Sequence, residues 1–172
     1  MIIWLNGAFG SGKTSVSKAL KKMYPELAIF DPEDVGQFIR QNLPDGDHHS
    51  DFQDHGLWRT LNYEIIHHLD QSHEHPVIIP MTLVSRDYYT EIIERLRNGG
   101  TKVRVYALLA SKETIHSRLL ERGDPLNSWA FHQTDRCLDF FKDDKDGIQL
   151  DSERMNVNEI AQLILEDINT RD

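Results

Sequence analysis

Eight residues near the start of the chain have the types and spacing to handle a polyphosphate: Gly7-Ala8-Phe9-Gly10-Ser11-Gly12-Lys13-Thr14 fits the pattern G-x-x-x-x-G-K-[ST] at every required position. A backbone that wraps phosphate oxygens must turn several N–H groups inward, and glycine allows the positive φ angles and the close approach this needs. Lys13 then stands where its ammonium reaches the β- and γ-phosphates, and the Thr14 hydroxyl can ligate Mg²⁺. Gly7 to Ser15 is therefore the expected nucleotide-binding stretch, and a nucleoside triphosphate with Mg²⁺ the expected ligand. A second chemical position is Asp31, in Asp31-Pro32-Glu33-Asp34, where a carboxylate at a strand tip could also cap a helix that begins at Pro32. Ligands of open α/β folds bind beyond the carboxyl ends of the strands, which brings Asp31 towards the phosphate loop. Glu33 and Asp34 read first as first-turn carboxylates that complement the helix dipole.

Further along, Arg59 could grip an anionic or hydroxyl-rich substrate through its two-pronged guanidinium, and Trp58 could stack on a planar ring. Arg118 and Arg122 lie four apart, hence on one side of a helix, and an irregular segment from Gly123 to Trp129 separates them from Gln133 and Arg136. Guanidinium groups flanking a loop are what closure over a triphosphate requires. The nine histidines include His48-His49, His55, His67-His68, His73 and His75. Their spacing matches no established zinc motif, which disfavours a metal centre of that kind.

These positions need elements to hold them. Ile2 to Leu5 reads as a buried strand before the loop, and Thr14 to Met23 as a helix with Val16, Leu20 and Met23 inward. Leu27 to Phe30 predicts a second strand, Val35 to Leu43 continues the helix begun at Pro32, and Pro44 to His49 is a polar loop expected to be mobile. Phe52 to Leu69 predicts a helix whose buried stripe is Leu57, Leu61, Ile65 and Leu69, with Trp58, Arg59 and Asn62 off it. Val77 to Leu83 suits a buried parallel strand. It ends without the acidic residue that motor ATPases and switch GTPases place there for Mg²⁺. Ser85 to Asn98 is a helix with Tyr89, Ile92, Ile93 and Leu96 inward, and Lys102 to Leu109 a central strand. Ser111 caps a helix that buries Ile115, Leu119 and Leu120, and the helix carrying Gln133 and Arg136 packs through Cys137, Leu138, Phe140 and Phe141. Ile148 to Leu150 forms a short last strand before a helix with an Asn156/Glu159 capping box.

With 172 residues the chain suits one α/β domain, 1–172. A net charge of −9 without a basic run argues against nucleic acid and anionic membranes as partners. One cysteine, Cys137, excludes an internal disulfide framework; no signal peptide or membrane-length apolar run is visible, so a cytoplasmic location is expected. Monomer and homodimer both stay open.

The chain resembles the TmrB-type tunicamycin resistance proteins, a branch of the P-loop kinase-like proteins related to shikimate and gluconate kinases. The resemblance is carried by Met1 to Thr14, Asp31-Pro32-Glu33, Asp51-Phe52-Gln53 with Leu57-Trp58-Arg59, Pro80-Met81-Thr82 within Val77 to Val84, Ala110 to Thr114, and Asn127-Ser128-Trp129-Ala130 with Gln133 and Asp135-Arg136-Cys137. It implies a P-loop NTPase fold, α/β, with a five-stranded parallel sheet in order 2-3-1-4-5 sandwiched by helices. It also implies a mobile substrate-binding segment over about 44–59, where Arg59 and Trp58 would join Asp31 and Thr82 at the substrate, and a lid over about 118–136. By the same resemblance Asp31 orients the acceptor hydroxyl, Arg118 and Arg136 touch ATP phosphates during catalysis, and Arg122 contributes to ATP binding. The resemblance implies ATP and Mg²⁺ as cofactors and, as activity, ATP-dependent phosphorylation of a small-molecule hydroxyl, with a nucleoside antibiotic such as tunicamycin as the acceptor. The alternative is nucleotide-gated sequestration of the drug. A GTP switch is disfavoured because no Asn-Lys-x-Asp motif occurs. Relatives of this type carry a longer C-terminal tail, so membrane association through such a tail is not expected here.

Overall fold

The computed structural model describes residues 1–44 and 49–170. Five parallel strands form one sheet in the order β2-β3-β1-β4-β5: β1 (Ile2–Gly7), β2 (Ala28–Ile29), β3 (Val77–Pro80), β4 (Val103–Leu109) and β5 (Ile148–Asp151). The implied strand order is the observed one. Asp45 to His48 of the expected mobile loop lie outside the described residues.

Strand alternation decides which helices sit where. Ile2 and Trp4, with Val77, Ile79, Val103 and Val105, face one side. There they meet α2 (Pro32–Asn42), α3 (Gly56–Ser72) and a helix built of α4 (Arg86–Tyr89), a π turn (Thr90–Glu94) and α5 (Arg95–Asn98). Ile3 and Leu5, with Ile78, Tyr106, Leu108 and Leu150, face the other side, against α1 (Lys13–Met23) and α8 (Val157–Thr170). A third cluster seats α6 (Lys112–Arg122) and α7 (Trp129–Asp143) on Ala8 and Ala107 through Ile115, Leu119, Phe131, Cys137 and Phe141. Among the described residues no helix is long and apolar enough to cross a membrane.

The apolar periods were misread at several positions. In α3 the buried face is Trp58, Asn62 and Ile66, one residue round from the expected stripe, and Leu57 is exposed. Two polar anchors drive the rotation: the Trp58 indole N–H donates to Pro32 O at 3.0 Å, and the Asn62 amide donates to Trp58 O at 2.8 Å. Both donors are satisfied inside, which removes most of the cost of burying these side chains, while Asn62 Oδ1 stays buried without a partner among the described residues. Met23 and Leu120 also point outward, and α3 starts after a short 3₁₀ turn at Phe52–Asp54. β3 stops at Pro80, so Met81 to Val84 runs as an extended segment beyond the sheet.

Candidate functional site: a phosphate loop facing two carboxylates

The loop between β1 and α1 has the geometry its glycines predict. Gly7, Gly10 and Gly12 adopt φ of +141°, +83° and +104°. At Gly7 space adds to the constraint, since a Cβ would lie 2.5 Å from Ser11 Oγ and 2.7 Å from Leu108 O. Gly12 is the N-cap of α1 in left-handed conformation and supplies no side-chain cap, which leaves the first N–H groups of that helix for an anion. Ser11 Oγ is buried without a partner among the described residues. Lys13 Nζ donates to Gly7 O and Ala8 O, both at 3.0 Å, and stands 5.5 Å from the centre of the Phe9 ring. Burial pulls its ammonium down to about 8, partly offset by the carboxylates of Glu33 and Asp31 and reinforced by Arg122.

Asn6, at the end of β1, fixes the loop to its surroundings. Its Oδ1 accepts from Gly7 N and Leu83 N, each at 2.9 Å, and its Nδ2 donates to Leu83 O at 2.9 Å. Trp4 Nε1 donates to Met81 O at 3.1 Å. Met81 N still donates to Leu5 O of β1 at 3.1 Å, and beyond it the side chains of Trp4 and Asn6 hold the segment that runs to Val84.

A cavity of about 640 Å³ opens over the loop. Phe9 to Val16 form its floor, and Asp31, Glu33, Pro80, Arg118 and Arg122 stand around it. Asp31 caps α2, its Oδ1 accepting from Glu33 N at 3.0 Å, and this cap directs both carboxylates to one side of the helix start. Burial raises the pKa of Asp31, and the Asp34 charge adds to the rise. Burial likewise raises that of Glu33, with the Asp31 charge second. Glu33, read from sequence as a dipole-complementing residue, thus shares the cavity with Asp31. The remaining wall is Ser152, Met155, Asn156, Val157 and Ile160, from the β5–α8 connection. Sequence reading missed this wall; its one local signal was the capping box, in which Asn156 N donates to Glu159 Oε2 at 2.8 Å.

The arginines differ from one another. Arg118 lines the cavity with its guanidinium engaged, Nη2 donating to Ser152 O at 2.6 Å and Nη1 to Ser152 Oγ at 3.3 Å and Ser11 O at 3.5 Å. It ties the phosphate loop to the β5–α8 wall. Arg122 also lines the cavity, and its charge depresses the pKa of Lys13 and of Glu33, while its Nε donates to Asp124 Oδ2 at 2.6 Å. Arg136 is not among the cavity-lining residues: its Nη2 faces Asp51 Oδ2 at 3.4 Å.

The three expected substrate contacts other than Asp31 also lie outside that lining. Trp58 is fully buried beside Phe52 and offers no free ring face for stacking. Thr82 is buried, its hydroxyl donating to Gly7 O at 2.7 Å, so it braces the phosphate loop. Arg59 donates to Glu91 Oε2 and Gln53 O, both at 2.6 Å, and packs over the Tyr88 ring. Structure thus brings Gly10 to Ser15, Phe9, Asp31, Arg118 and Arg122 together, and gathers Arg59, Thr82 and Arg136 around the Phe52–Asp54 turn.

Fold and site together define a P-loop protein of the kinase-like type. A family model described as an AAA domain matches residues 2–142, and the chain belongs to that family. Among solved structures it is similar to the tunicamycin resistance protein of Deinococcus radiodurans, at 25% identity over 97% of this chain and 94% of that one, with a TM-score of 0.81. A sugar kinase from Janibacter sp. superposes at 18% identity, 99% and 95% coverage and a TM-score of 0.68. A gluconokinase from Sinorhizobium meliloti does so at 16% identity, 99% and 96% coverage and a TM-score of 0.62. No curated protein matches the chain significantly.

Proposed function

We propose that this protein is an ATP-dependent phosphotransferase acting on a hydroxyl of a small molecule. The observation that carries this reading is the placement of Asp31 and Glu33 around the same cavity that the phosphate loop floors. A polyphosphate fits that floor: uncapped helix N–H groups, the Lys13 ammonium and the unpartnered Ser11 hydroxyl offer donors where its oxygens would rest. Among the described residues no three His, Cys, Asp or Glu side chains converge on a metal site, so Mg²⁺ fits as an ion brought in with the nucleotide. Thr14 would hold it with Asp31 nearby, and it would neutralise charge on the phosphate oxygens.

In this reading Lys13 and Arg122 stabilise negative charge on the migrating phosphoryl group. Asp31 accepts the proton of the attacking hydroxyl or orients it, and Glu33 is the second carboxylate within the cavity. Raised carboxylate pKa values suit a base that must hold a proton briefly. Arg118 stiffens the nucleotide wall, and Arg136 reaches the phosphates only after leaving Asp51. One domain spans 1–172, with a substrate segment near 44–59 and a lid near 118–136, and the protein works in the cytoplasm. The likeness to a tunicamycin resistance protein makes tunicamycin the first acceptor to try.

A second reading, nucleotide-gated sequestration of the drug, is favoured by that same likeness, because resistance needs only removal of the drug. The two separate cleanly. Protein, Mg·ATP and tunicamycin are incubated together, and the drug is weighed by mass spectrometry. A species heavier by one phosphoryl group supports transfer; tight drug binding with ATP intact and no such species replaces transfer by sequestration.

A further inference from the structure

Behind the phosphate loop runs a short segment whose atoms are fixed from two sides. Met81 O accepts from Trp4 Nε1 at 3.1 Å, and Leu83 is clasped by Asn6, which accepts from its N and donates to its O, each at 2.9 Å. Thr82, between them and 1% exposed, has its own carbonyl held by Gln53 Nε2 at 2.9 Å. Gln53 is buried as well, its N donating to the Asp51 cap at 3.0 Å and its O accepting from Arg59 Nη1 at 2.6 Å. Three consecutive residues are thus anchored, and the middle one turns its hydroxyl to the loop, donating to Gly7 O at 2.7 Å.

Gly7 O also accepts from Lys13 Nζ, at 3.0 Å. If that carbonyl needed only to be satisfied, Lys13 would be enough. What the Thr82 hydroxyl adds is direction. An ammonium has three N–H donors. Two of those on Lys13 go to Gly7 O and Ala8 O, so the positions of these carbonyls decide where the third one points. Lys13 lines the cavity over the loop, and that third N–H is the one a phosphate oxygen resting there can take. Glycine by itself leaves the backbone freest to turn, so Gly7 depends on its neighbours for a fixed orientation. Asn6 Oδ1 holds its N at 2.9 Å, and Thr82 holds its O. Loss of the hydroxyl acts twice in one direction. The Gly7 carbonyl can tilt, and Lys13, as its remaining side-chain donor, is drawn to the loop in competition with an arriving phosphate.

We propose that Thr82 is a positioning residue for the triphosphate: through Gly7 O it aims the Lys13 ammonium into the cavity, and Gln53 keeps it in place. The proposal rests on the nucleotide half of the proposed function and not on transfer, and its test reads binding alone. Mg·AMP-PNP is titrated calorimetrically into unmodified protein, Thr82→Val, Thr82→Ser and Gln53→Met, and each is unfolded in urea without nucleotide. Thr82→Val, which keeps the shape and removes the donor, should bind at least about fivefold more weakly. Thr82→Ser restores the hydroxyl and should bind within about twofold of unmodified protein. A purely structural role for Thr82 would lower stability in urea and leave the affinity of the folded protein unchanged. Gln53→Met keeps the backbone bonds of Gln53 while removing the donor to Thr82 O; it should weaken binding in the same direction, and it decides the matter if Thr82→Val fails to fold. A folded Thr82→Val that binds as tightly as unmodified protein overturns the proposal, as does a Thr82→Ser as weak as Thr82→Val. No binding to well-folded unmodified protein removes the proposal together with the nucleotide half of the function. Binding in the predicted order without phosphate transfer to any acceptor fails the phosphotransferase reading and leaves this one standing.

Discussion

Lys13 gives the sharpest quantitative handle on the phosphate loop. Burial brings its ammonium from an ordinary 10.5 to about 8, a penalty on the charged form of roughly 3 kcal/mol. In the unfolded chain Lys13 keeps its proton up to its ordinary value, so between about pH 8 and about pH 10.5 the unfolded state binds more protons than the folded one. Stability must therefore rise with pH in that window. Between about pH 7 and about pH 9.5 the two titration curves integrate to a gain of roughly 2 kcal/mol. Lys13→Met removes the titrating group while keeping the aliphatic stem, and should abolish the gain. Tyr89 and Tyr106, whose hydroxyls are pushed up first by burial and then by their hydrogen bonds to Asp146 and Asp167, are present in both proteins and cancel in the difference. The assay is urea unfolding at constant ionic strength without nucleotide, comparing the two proteins across the window. A constant difference between them, or one that moves the other way, would refute the buried-ammonium account of Lys13.

Other consequences can be checked alongside. Trp4 and Trp58 are fully buried with bonded indoles, whereas Trp129 is 38% exposed and edge-on to Phe9 of the cavity, 5.0 Å between ring centres. Mg·ATP should change tryptophan emission, and Trp129→Phe should remove most of that change. Asn6→Ala leaves Gly7 N and Leu83 N without their buried acceptor and should lower stability in urea by roughly 2–4 kcal/mol. Asp34 is exposed and its charge raises the pKa of both Asp31 and Glu33. Since turnover needs an ionised base, it should fail as pH falls through those raised values, and Asp34→Asn should move that acid limb to lower pH in a pH–rate profile.

What could be read from sequence follows from how local each feature is. The phosphate loop is eight contiguous residues whose positive-φ backbone follows from its own glycines, and the Asp31-Pro32 helix start is equally local; the conformation of both read directly. So did the helix cap at Ser111, which the structure shows accepting from Thr114 N. The α3 face was misread because a leucine series four apart outweighs, by hydrophobicity alone, a face containing Asn62. That polar residue is buried only because Trp58 O is there to accept its amide, a fact of three dimensions. Tryptophan at position 58 suggested a stacking surface for the same reason, before Pro32 O was known to lie against its indole. The β5–α8 wall of the cavity and the Asp51–Arg136 pair join residues far apart in the chain, and no periodicity signals them. Arginines 118, 122 and 136 looked alike as charges near a lid; Ser152, Asp124 and Asp51 are what distinguish them.

The proposed function depends on a nucleoside triphosphate lying on the Gly7 to Thr14 loop. Calorimetric titration of Mg·ATP into unmodified protein and into Lys13→Ala measures that directly. The account predicts saturable one-site binding to the unmodified protein, weakened at least about tenfold in Lys13→Ala while the far-ultraviolet circular dichroism stays the same. No binding to the well-folded unmodified protein, or equal binding to both, would contradict it.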